Sequence, residues 1–207
     1  MRFPLKRPAR LAVFASGRGS NLRSLHAAFP SGHPLASIRL VVSNRAAAGA
    51  LTYAQERGVQ AHFIPFGENR TGFEGAAVRL LETEEVDLIC LAGFMRVLSV
   101  DFVARYTGRI LNIHPSLLPR FPGLHPQQRA IDAGVSESGC TVHFVDAGVD
   151  TGQVIVQRRV PIHPEDNADT LSARILEAEH AAYPEAVRLV LEGKAVVDAS
   201  QSKEAQR

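Results

Sequence analysis

The feature that most constrains the fold is a regular alternation of short apolar segments with longer helical patterns over residues 11–113. Most of the short segments are too apolar to leave one face in water, which is typical of parallel strands covered on both sides. The predicted strands cover residues 11–15, 38–43, 61–65, 86–92 and 109–113, and the predicted helices cover residues 21–29, 46–57, 73–85 and 100–106. This rhythm predicts a doubly wound α/β sheet with helices on both faces.

The second half of the chain has a different pattern. Residues 140–145 and 153–161 are predicted strands joined by a short loop, so they can pair antiparallel and make the sheet mixed. A last helix is predicted over residues 169–192, with Asn167 or Asp169 as its cap. Pro184 lies inside this helix and is expected to kink or divide it.

Length, charge and cysteine content limit the class of protein. The 207 residues fit a single domain, with frayed tails expected over residues 1–10 and 199–207. The net charge of +2 is too small to indicate a nucleic-acid-binding protein, and no segment has the roughly 18–20 apolar residues that span a membrane. Cys90 and Cys140 lie in apolar runs, which favours buried reduced thiols and a cytoplasmic protein.

Ligands of doubly wound sheets bind outside the carboxyl ends of the strands, and three polar segments follow predicted strand ends. The first is the loop of residues 16–21, where Gly19 permits close backbone approach and Ser20 and Asn21 add donors. The helix that follows offers free N–H groups and a positive dipole end to a phosphate. The loop lacks the GxGxxG and P-loop patterns, so a monophosphate is a more plausible ligand than a dinucleotide. The alternative is an ordinary turn between strand and helix, with a serine cap and no ligand.

The second and third segments carry a histidine and two carboxylates. Asn112 and His114 are two residues apart at a strand end and therefore face the same side, where an amide and an imidazole suit oxyanion stabilisation and proton transfer. A purely structural histidine is the alternative. The loop of residues 146–152 holds Asp146 and Asp150, which favour either a turn or a cation site. No further oxygen ligands are evident, so we expect no metal and instead a carboxylate that contacts His114 and raises its pKa.

Five motifs, taken together and in order, resemble the phosphoribosylglycinamide formyltransferase (GAR transformylase) family. They are GRGSN at 17–21, LAGFMRVLS at 91–99, LNIHPSLLPRFPGLH at 111–125, GCTVHFVDAGVDTGQVI at 139–155 and AEHAAYP at 178–184. The resemblance covers about residues 11 to 195. Residues 123–125 favour the glycinamide branch over the methionyl-tRNA branch, and only ten residues precede the first strand, where the hydrolase branch carries a regulatory domain.

The resemblance implies a Rossmann-like formyltransferase fold and a folate-dependent reaction. In that reaction 10-formyltetrahydrofolate, as co-substrate, gives its formyl group to the amine of 5′-phosphoribosylglycinamide (GAR) in de novo purine (IMP) biosynthesis. The amine attacks directly, without a metal. The implied partners are these small molecules, with no nucleic acid and no membrane, and the expected state is a cytoplasmic monomer or homodimer.

The resemblance also implies roles for individual residues. The catalytic residues it implies are Asn112, His114 and Asp150, and the GAR-binding residues are Gly19, Ser20, Asn21 and Glu179. The implied folate-binding residues are Arg70, Met95, Arg96, Val97, Leu98, Asn112, Asp146, Ala147, Gly148, Val149 and Asp150. Residues 116–125 resemble the mobile flap of the family.

Some features leave alternatives open. Core packing is the alternative for Phe94 and Met95, and a solvated helix face is the alternative for Glu179. Some family members have a lysine three residues before that glutamate, where this chain has Leu176. The phosphate charge is then expected to be met by the loop amides and the helix dipole, or by a basic residue elsewhere, for which Arg18 and Arg174 are the candidates. Two other functions fit the pattern less well: formylation of a different amine, and ligand binding without catalysis.

Overall fold

A mixed sheet of seven strands forms the centre of the computed structural model, which describes residues 3–67 and 70–197. The strands are β1 (Ala9–Phe14), β2 (Ala36–Ser43), β3 (Gln60–Phe63), β4 (Leu88–Leu91), β5 (Ile110–His114), β6 (Glu137–Phe144) and β7 (Val154–Pro161). The helices are α1 (Ser20–Ala28), α2 (Gly49–Glu56), α3 (Arg70–Thr83), α4 (Val100–Arg105), α5 (Pro126–Asp132) and α6 (Ala168–Leu191). All the predicted strands and helices are present, and α5 is an additional short helix that the pattern did not predict.

The strand order β3-β2-β1-β4-β5-β6-β7 confirms the predicted mixed sheet. Strands β1 to β5 pair in parallel, whereas β6 pairs antiparallel with both β5 and β7. The chain runs from β1 outward to β3 and then returns to the other side of β1 as β4. The loops that follow β1 and β4 therefore diverge, which opens a crevice at their carboxyl ends.

Helices cover both faces of the sheet, as predicted. Successive residues of β1 point to opposite faces: Leu11 and Val13 pack with α1, α2 and α6, whereas Ala12 and Phe14 pack with α3 and α4. Both faces are apolar because both are buried, which explains the nearly continuous apolar runs in the sequence.

The expectation of a frayed amino-terminal segment over residues 1–10 is wrong for its last part. Ala9 and Arg10 belong to β1, and the Arg7 guanidinium pairs with both carboxylate oxygens of Asp87 at 2.7 and 3.0 Å. The buried Asp87 thereby holds the segment before the strand. The other predicted tail, residues 199–207, lies outside the described residues.

Helix α6 continues through Pro184, so of the two expected effects, a kink or a division, the division is wrong. A proline has no N–H group to donate to the carbonyl four residues earlier, which here belongs to His180. Ser24 Oγ of α1 donates to that carbonyl at 2.6 Å and supplies the missing hydrogen bond. At its start the helix is capped by Asn167, one of the two predicted caps, in a capping box with Thr170.

We expect Ser24→Ala to lower the free energy of unfolding by about 1 kcal/mol, because the His180 carbonyl then loses its donor. In a Pro184→Ala background the backbone N–H of residue 184 can serve that carbonyl, so Ser24→Ala should then cost much less. Urea unfolding of the four proteins measures this coupling. Equal losses in both backgrounds would contradict the compensation.

No helix within the described ranges is long and apolar enough to cross a membrane. Cys90 and Cys140 are buried and form no disulfide, as predicted. Burial raises the pKa of each thiol to about 12, so both are unreactive at neutral pH.

Candidate active site

A cavity of about 1020 Å³ opens at the carboxyl ends of β1, β4 and β5, where the polar segments were predicted to meet. Its lining contains almost every predicted site residue: Gly19, Ser20, Asn21, Met95, Arg96, Val97, Leu98, Asn112, His114, Asp146, Ala147, Gly148, Val149, Asp150 and Glu179. Arg70 is the exception. It is the exposed first residue of α3 and does not line the cavity.

Asp150 contacts both polar residues at the end of β5. Its Oδ2 lies 3.2 Å from His114 Nδ1, and its Oδ1 accepts from Asn112 Nδ2 at 3.3 Å. The backbone of Asp150 has a φ of 56°, a left-handed conformation that aspartate and asparagine tolerate better than most residues. The loop conformation thus turns the carboxylate back toward the strand end.

Two groups that the sequence pattern did not predict complete this cluster. The Gly123 N–H donates to Asp150 Oδ2 at 2.8 Å, and His143 Nε2 lies 3.2 Å from Asn112 Nδ2. His143 Nδ1 lies 2.7 Å from the Phe144 carbonyl, and its Nε2 also faces Asp150 Oδ1 at 3.6 Å. His143 is the cross-strand partner of Asn112 in the antiparallel register, and only that register could have identified it.

The electrostatics of the cluster differ from the expectation in one respect. Burial lowers the pKa of His114 below its ordinary value, although the Phe121 carbonyl and the Asp150 carboxylate both act to raise it. The predicted contact with Asp150 is present, but the expected net rise in the pKa of His114 is wrong. Burial tends to raise the pKa of Asp150. Hydrogen bonds from His143 and the Gly123 N–H, together with the nearby His114, outweigh this effect and hold the pKa below its usual range.

The second nitrogen of His114 contacts the segment of residues 116–125. His114 Nε2 lies 2.9 Å from the carbonyl oxygen of Phe121, whose φ of 55° is also left-handed. Ser116 Oγ donates to the Arg120 carbonyl at 2.6 Å and fixes the same turn. Both ring nitrogens of His114 therefore face oxygen atoms on residues with left-handed backbones.

The loop before α1 has the geometry of an anion-binding helix start. Gly19 is the N-cap with a φ of 80°, and no side chain caps the helix, so the serine-cap alternative is wrong. A Cβ on Gly19 would lie 2.9 Å from Ala50 Cα, so this position has room only for glycine. The first N–H groups of α1 are consequently left for a ligand in the cavity.

Asn21 and Glu179 connect α1 to α6 beneath this loop. Asn21 Nδ2 donates to Glu179 Oε2 at 2.7 Å, and Glu179 is only 7% exposed, so the solvated-face alternative is wrong. Burial raises the pKa of Glu179, and the Asn21 N–H opposes this only in part. Asn21 Oδ1 is buried without a hydrogen-bond partner among the described residues, so it is available to a ligand donor.

The wall formed by residues 95–98 is partly apolar and partly open. Phe94 packs edge-on against Phe14 at 5.6 Å and belongs to the core, whereas Met95 is 63% exposed and does not. Arg96 lies over the Phe66 ring at 4.9 Å. An exposed methionine beside buried aromatic rings provides a surface suited to a flat apolar ring system.

Two further alternatives concern charged groups: whether the loop of residues 146–152 forms a turn or a cation site, and whether Arg18 or Arg174 faces the phosphate. Asp146 Oδ1 accepts from the Gly148 N–H at 3.0 Å and from Thr151 Oγ1 at 2.7 Å, which is the turn alternative for this loop. Within residues 3–67 and 70–197, no group of three or more acidic, histidine or cysteine side chains is arranged to hold a metal. Arg174 pairs with both oxygens of Asp166 at 2.6 and 2.9 Å, whereas Arg18 lines the cavity.

The formyl transferase family model matches residues 9–187. Phosphoribosylglycinamide formyltransferase of Haemophilus influenzae is 43% identical over 89% of this chain and 88% of its own length. The trifunctional purine biosynthetic protein adenosine-3 of Drosophila melanogaster is 47% identical over 96% of this chain, but the match spans only 15% of that longer protein. The crystal structure of glycinamide ribonucleotide transformylase 1 from Symbiobacterium toebii superposes with a TM-score of 0.90 at 42% identity, covering 94% of this chain and 93% of the other.

These matches cover nearly all of the sheet and every segment around the cavity. A family model over most of the chain, and a relative of similar length at 43% identity, are together sufficient to assign the family. The chain therefore belongs to the formyl transferase family, in the group of the phosphoribosylglycinamide formyltransferases.

Proposed function

We propose that this chain transfers the formyl group of 10-formyltetrahydrofolate to the amine of GAR, a step of de novo purine biosynthesis. The observation that carries the proposal is the contact of Asp150 with both His114 and Asn112 on the wall of a cavity that also contains a helix start suited to phosphate. Family membership supports the reaction class, and the names of the H. influenzae and S. toebii proteins support the acceptor.

We assign GAR to the α1 end of the cavity. The N–H groups at Ser20 and Asn21 and the dipole of α1 would hold the phosphate, with Arg18 as the nearby cation. Glu179 and the unpaired Asn21 Oδ1 are acceptors for hydroxyl or amine N–H groups of the same ligand.

We assign the folate to the opposite end, between the wall of residues 95–98 and the loop of residues 146–150. The exposed Met95 and Val97 offer apolar contact, and backbone groups of the loop can bind the polar edge of a pteridine. Arg70 does not line the cavity, so its proposed role is limited to an ionic contact with an anionic part of the folate that extends beyond the cavity.

In the proposed mechanism the neutral amine of GAR attacks the formyl carbon, the bond to N10 breaks, and one proton passes from the amine to N10. Once the Phe121 carbonyl has left, a neutral His114 keeps its Nδ1–H on the ionised Asp150, so Nε2 can accept the amine proton and then deliver it to N10. Asn112 donates an N–H to the developing oxyanion in place of its 3.3 Å contact with Asp150.

The Phe121 carbonyl has to leave His114 Nε2 before this proton transfer, because it occupies the same nitrogen. We therefore propose that the flap of residues 116–125 moves when the substrates bind. The contact to Asp150 through Gly123 lies in the same flap, so its movement also changes the environment of the carboxylate.

We also propose that the enzyme acts as a single domain over residues 1–207, in the cytoplasm, as a monomer or homodimer with small-molecule partners only. The near-neutral net charge and the buried thiols support this proposal.

The acceptor is tested by measuring formyl transfer, followed by absorbance, with GAR and with glycinamide riboside, which lacks the phosphate. We expect kcat/KM to fall at least a hundredfold without the phosphate, which corresponds to about 2.7 kcal/mol. Equal rates would favour an enzyme that formylates a different amine, and no transfer to either acceptor would favour a protein that only binds these ligands.

We expect Gly19→Ala to raise the dissociation constant for GAR at least about tenfold, or about 1.4 kcal/mol, and to change folate binding little. The reason is that the new Cβ meets Ala50 Cα and displaces the phosphate loop. Separate calorimetric titrations of the two ligands measure the effect. Gly32→Ala is the matched control, since Gly32 has a φ of 81° with nothing within 4 Å of its Cβ position. Equal losses for both ligands would indicate misfolding of the loop instead.

A further inference from the structure

Ser16 is a buried hydroxyl residue that lies behind the cavity wall and does not line the cavity. It stands where the hydrogen bonds between β1 and β4 come to an end. The Ala92 N–H donates to the Phe14 carbonyl at 2.8 Å, and the Ser16 N–H donates to the Gly93 carbonyl at 3.0 Å. Gly93, which follows Ala92, has a φ of 70°, a left-handed conformation that glycine adopts without strain.

The side chain of Ser16 continues this series of hydrogen bonds. Its Oγ accepts from the Met95 N–H at 2.9 Å and donates to Asn44 Oδ1 at 2.6 Å. The hydroxyl therefore joins the loops that follow three adjacent strands, β1, β2 and β4. The bond to Met95 fixes the point at which the wall of residues 95–98 begins.

The loop of residues 17–21 has independent support. The Gly17 carbonyl accepts from the Ala50 N–H at 3.2 Å, and Gly19 packs directly on Ala50. Loss of the Ser16 hydroxyl therefore leaves the phosphate loop held in place, but it leaves the Met95 N–H without its acceptor.

We propose that Ser16 is a positioning residue for the folate side of the reaction: it sets the direction of the wall of residues 95–98 without touching either substrate. This inference rests on the proposed function, in which that wall binds the folate. Its specific consequence is that the two substrates respond differently to the loss of one hydroxyl group.

The test compares Ser16→Ala, which removes the hydroxyl, with Ser16→Thr, which keeps it. The matched control is Ser43→Ala, because Ser43 is equally buried at the end of β2, but among the described residues its hydroxyl bonds only to Arg45 of its own loop. Steady-state kinetics give KM for each substrate. KM does not depend on the fraction of folded molecules, so partial misfolding of a variant lowers the apparent kcat and leaves the comparison intact.

For Ser16→Ala we expect KM for 10-formyltetrahydrofolate to rise about tenfold, within the range for loss of one hydrogen bond, while KM for GAR stays within about twofold. Ser16→Thr should restore the folate KM to within about threefold of wild type, and Ser43→Ala should leave both values unchanged. Parallel rises in both KM values, no rise in either, or the same rise in Ser43→Ala would overturn the proposal.

A second readout separates this proposal from the proposed function. Calorimetric titration with tetrahydrofolate alone requires no turnover, and the dissociation constant should rise by the same factor in Ser16→Ala. If wild type binds tetrahydrofolate but transfers no formyl group, the proposed function fails while the effect of Ser16 is still measured. An unchanged dissociation constant in an otherwise active enzyme contradicts the role of Ser16 alone.

Discussion

His114→Ala is expected to reduce kcat by about 10²- to 10⁴-fold, the range for loss of a general acid–base group, while both ligands bind with near-normal affinity. His114 is the imidazole that Asp150 orients at 3.2 Å, and its Nε2 lies 2.9 Å from the Phe121 carbonyl of the flap. The loss concerns proton transfer and not binding, so it should appear in kcat more than in KM. Absorbance assays and calorimetric titrations measure the two quantities.

His163→Ala is the control for this variant, because His163 is exposed and lies outside the cavity lining. It should keep wild-type kcat. A His114→Ala protein that retains more than about a tenth of wild-type kcat, a loss of less than about 1.4 kcal/mol of barrier, would contradict the proton-transfer role.

Asp150→Asn is expected to lower kcat strongly and to shift the titration of His114 to lower pH. Burial already lowers the pKa of this imidazole, and the Asp150 charge is one of two groups that raise it. Removal of the charge therefore lowers the pKa further, and the protonated ring is lost at a lower pH than in wild type. Asparagine has nearly the same size and tolerates the φ of 56°, so packing and backbone should change little.

NMR titration of the His114 ring in both proteins measures this shift. The expected result is a lower midpoint in Asp150→Asn, with the acid limb of the kcat profile moving in the same direction. An unchanged midpoint would mean that Asp150 does not tune His114, and the loop of residues 146–152 would then act only as a cover over the folate.

The sequence predicted the sheet well because its signals are local. Runs such as residues 11–15 are apolar on both faces, and that pattern is typical of a strand covered by helices on both sides. Helix α6 was harder to predict, because the consequence of Pro184 depends on Ser24, which is 160 residues away along the chain. The short helix α5 follows the flap and has little apolar periodicity of its own.

The candidate site was predictable where it depends on strand ends and not where it depends on register or on burial. Asn112 and His114 share a face because they are two residues apart on β5. His143 could be predicted only from the antiparallel register of β5 and β6. The contacts of Gly123 and Phe121 are made by backbone atoms, which every residue type has, so the sequence does not indicate them. The pKa of His114 is lowered and not raised, because burial has the largest effect on it. The depth of burial depends on the packed structure and cannot be predicted from the sequence pattern.

The central claim is that a formyl group passes directly from the folate to the amine of GAR in this cavity. It is tested most directly by following the label from 10-[¹³C]formyltetrahydrofolate incubated with GAR and the wild-type protein. We expect the ¹³C to appear in the formamide of the ribonucleotide, with one tetrahydrofolate formed per product and no labelled formate. Labelled formate without formyl-GAR, or a folate that remains unchanged in the presence of GAR, would contradict it.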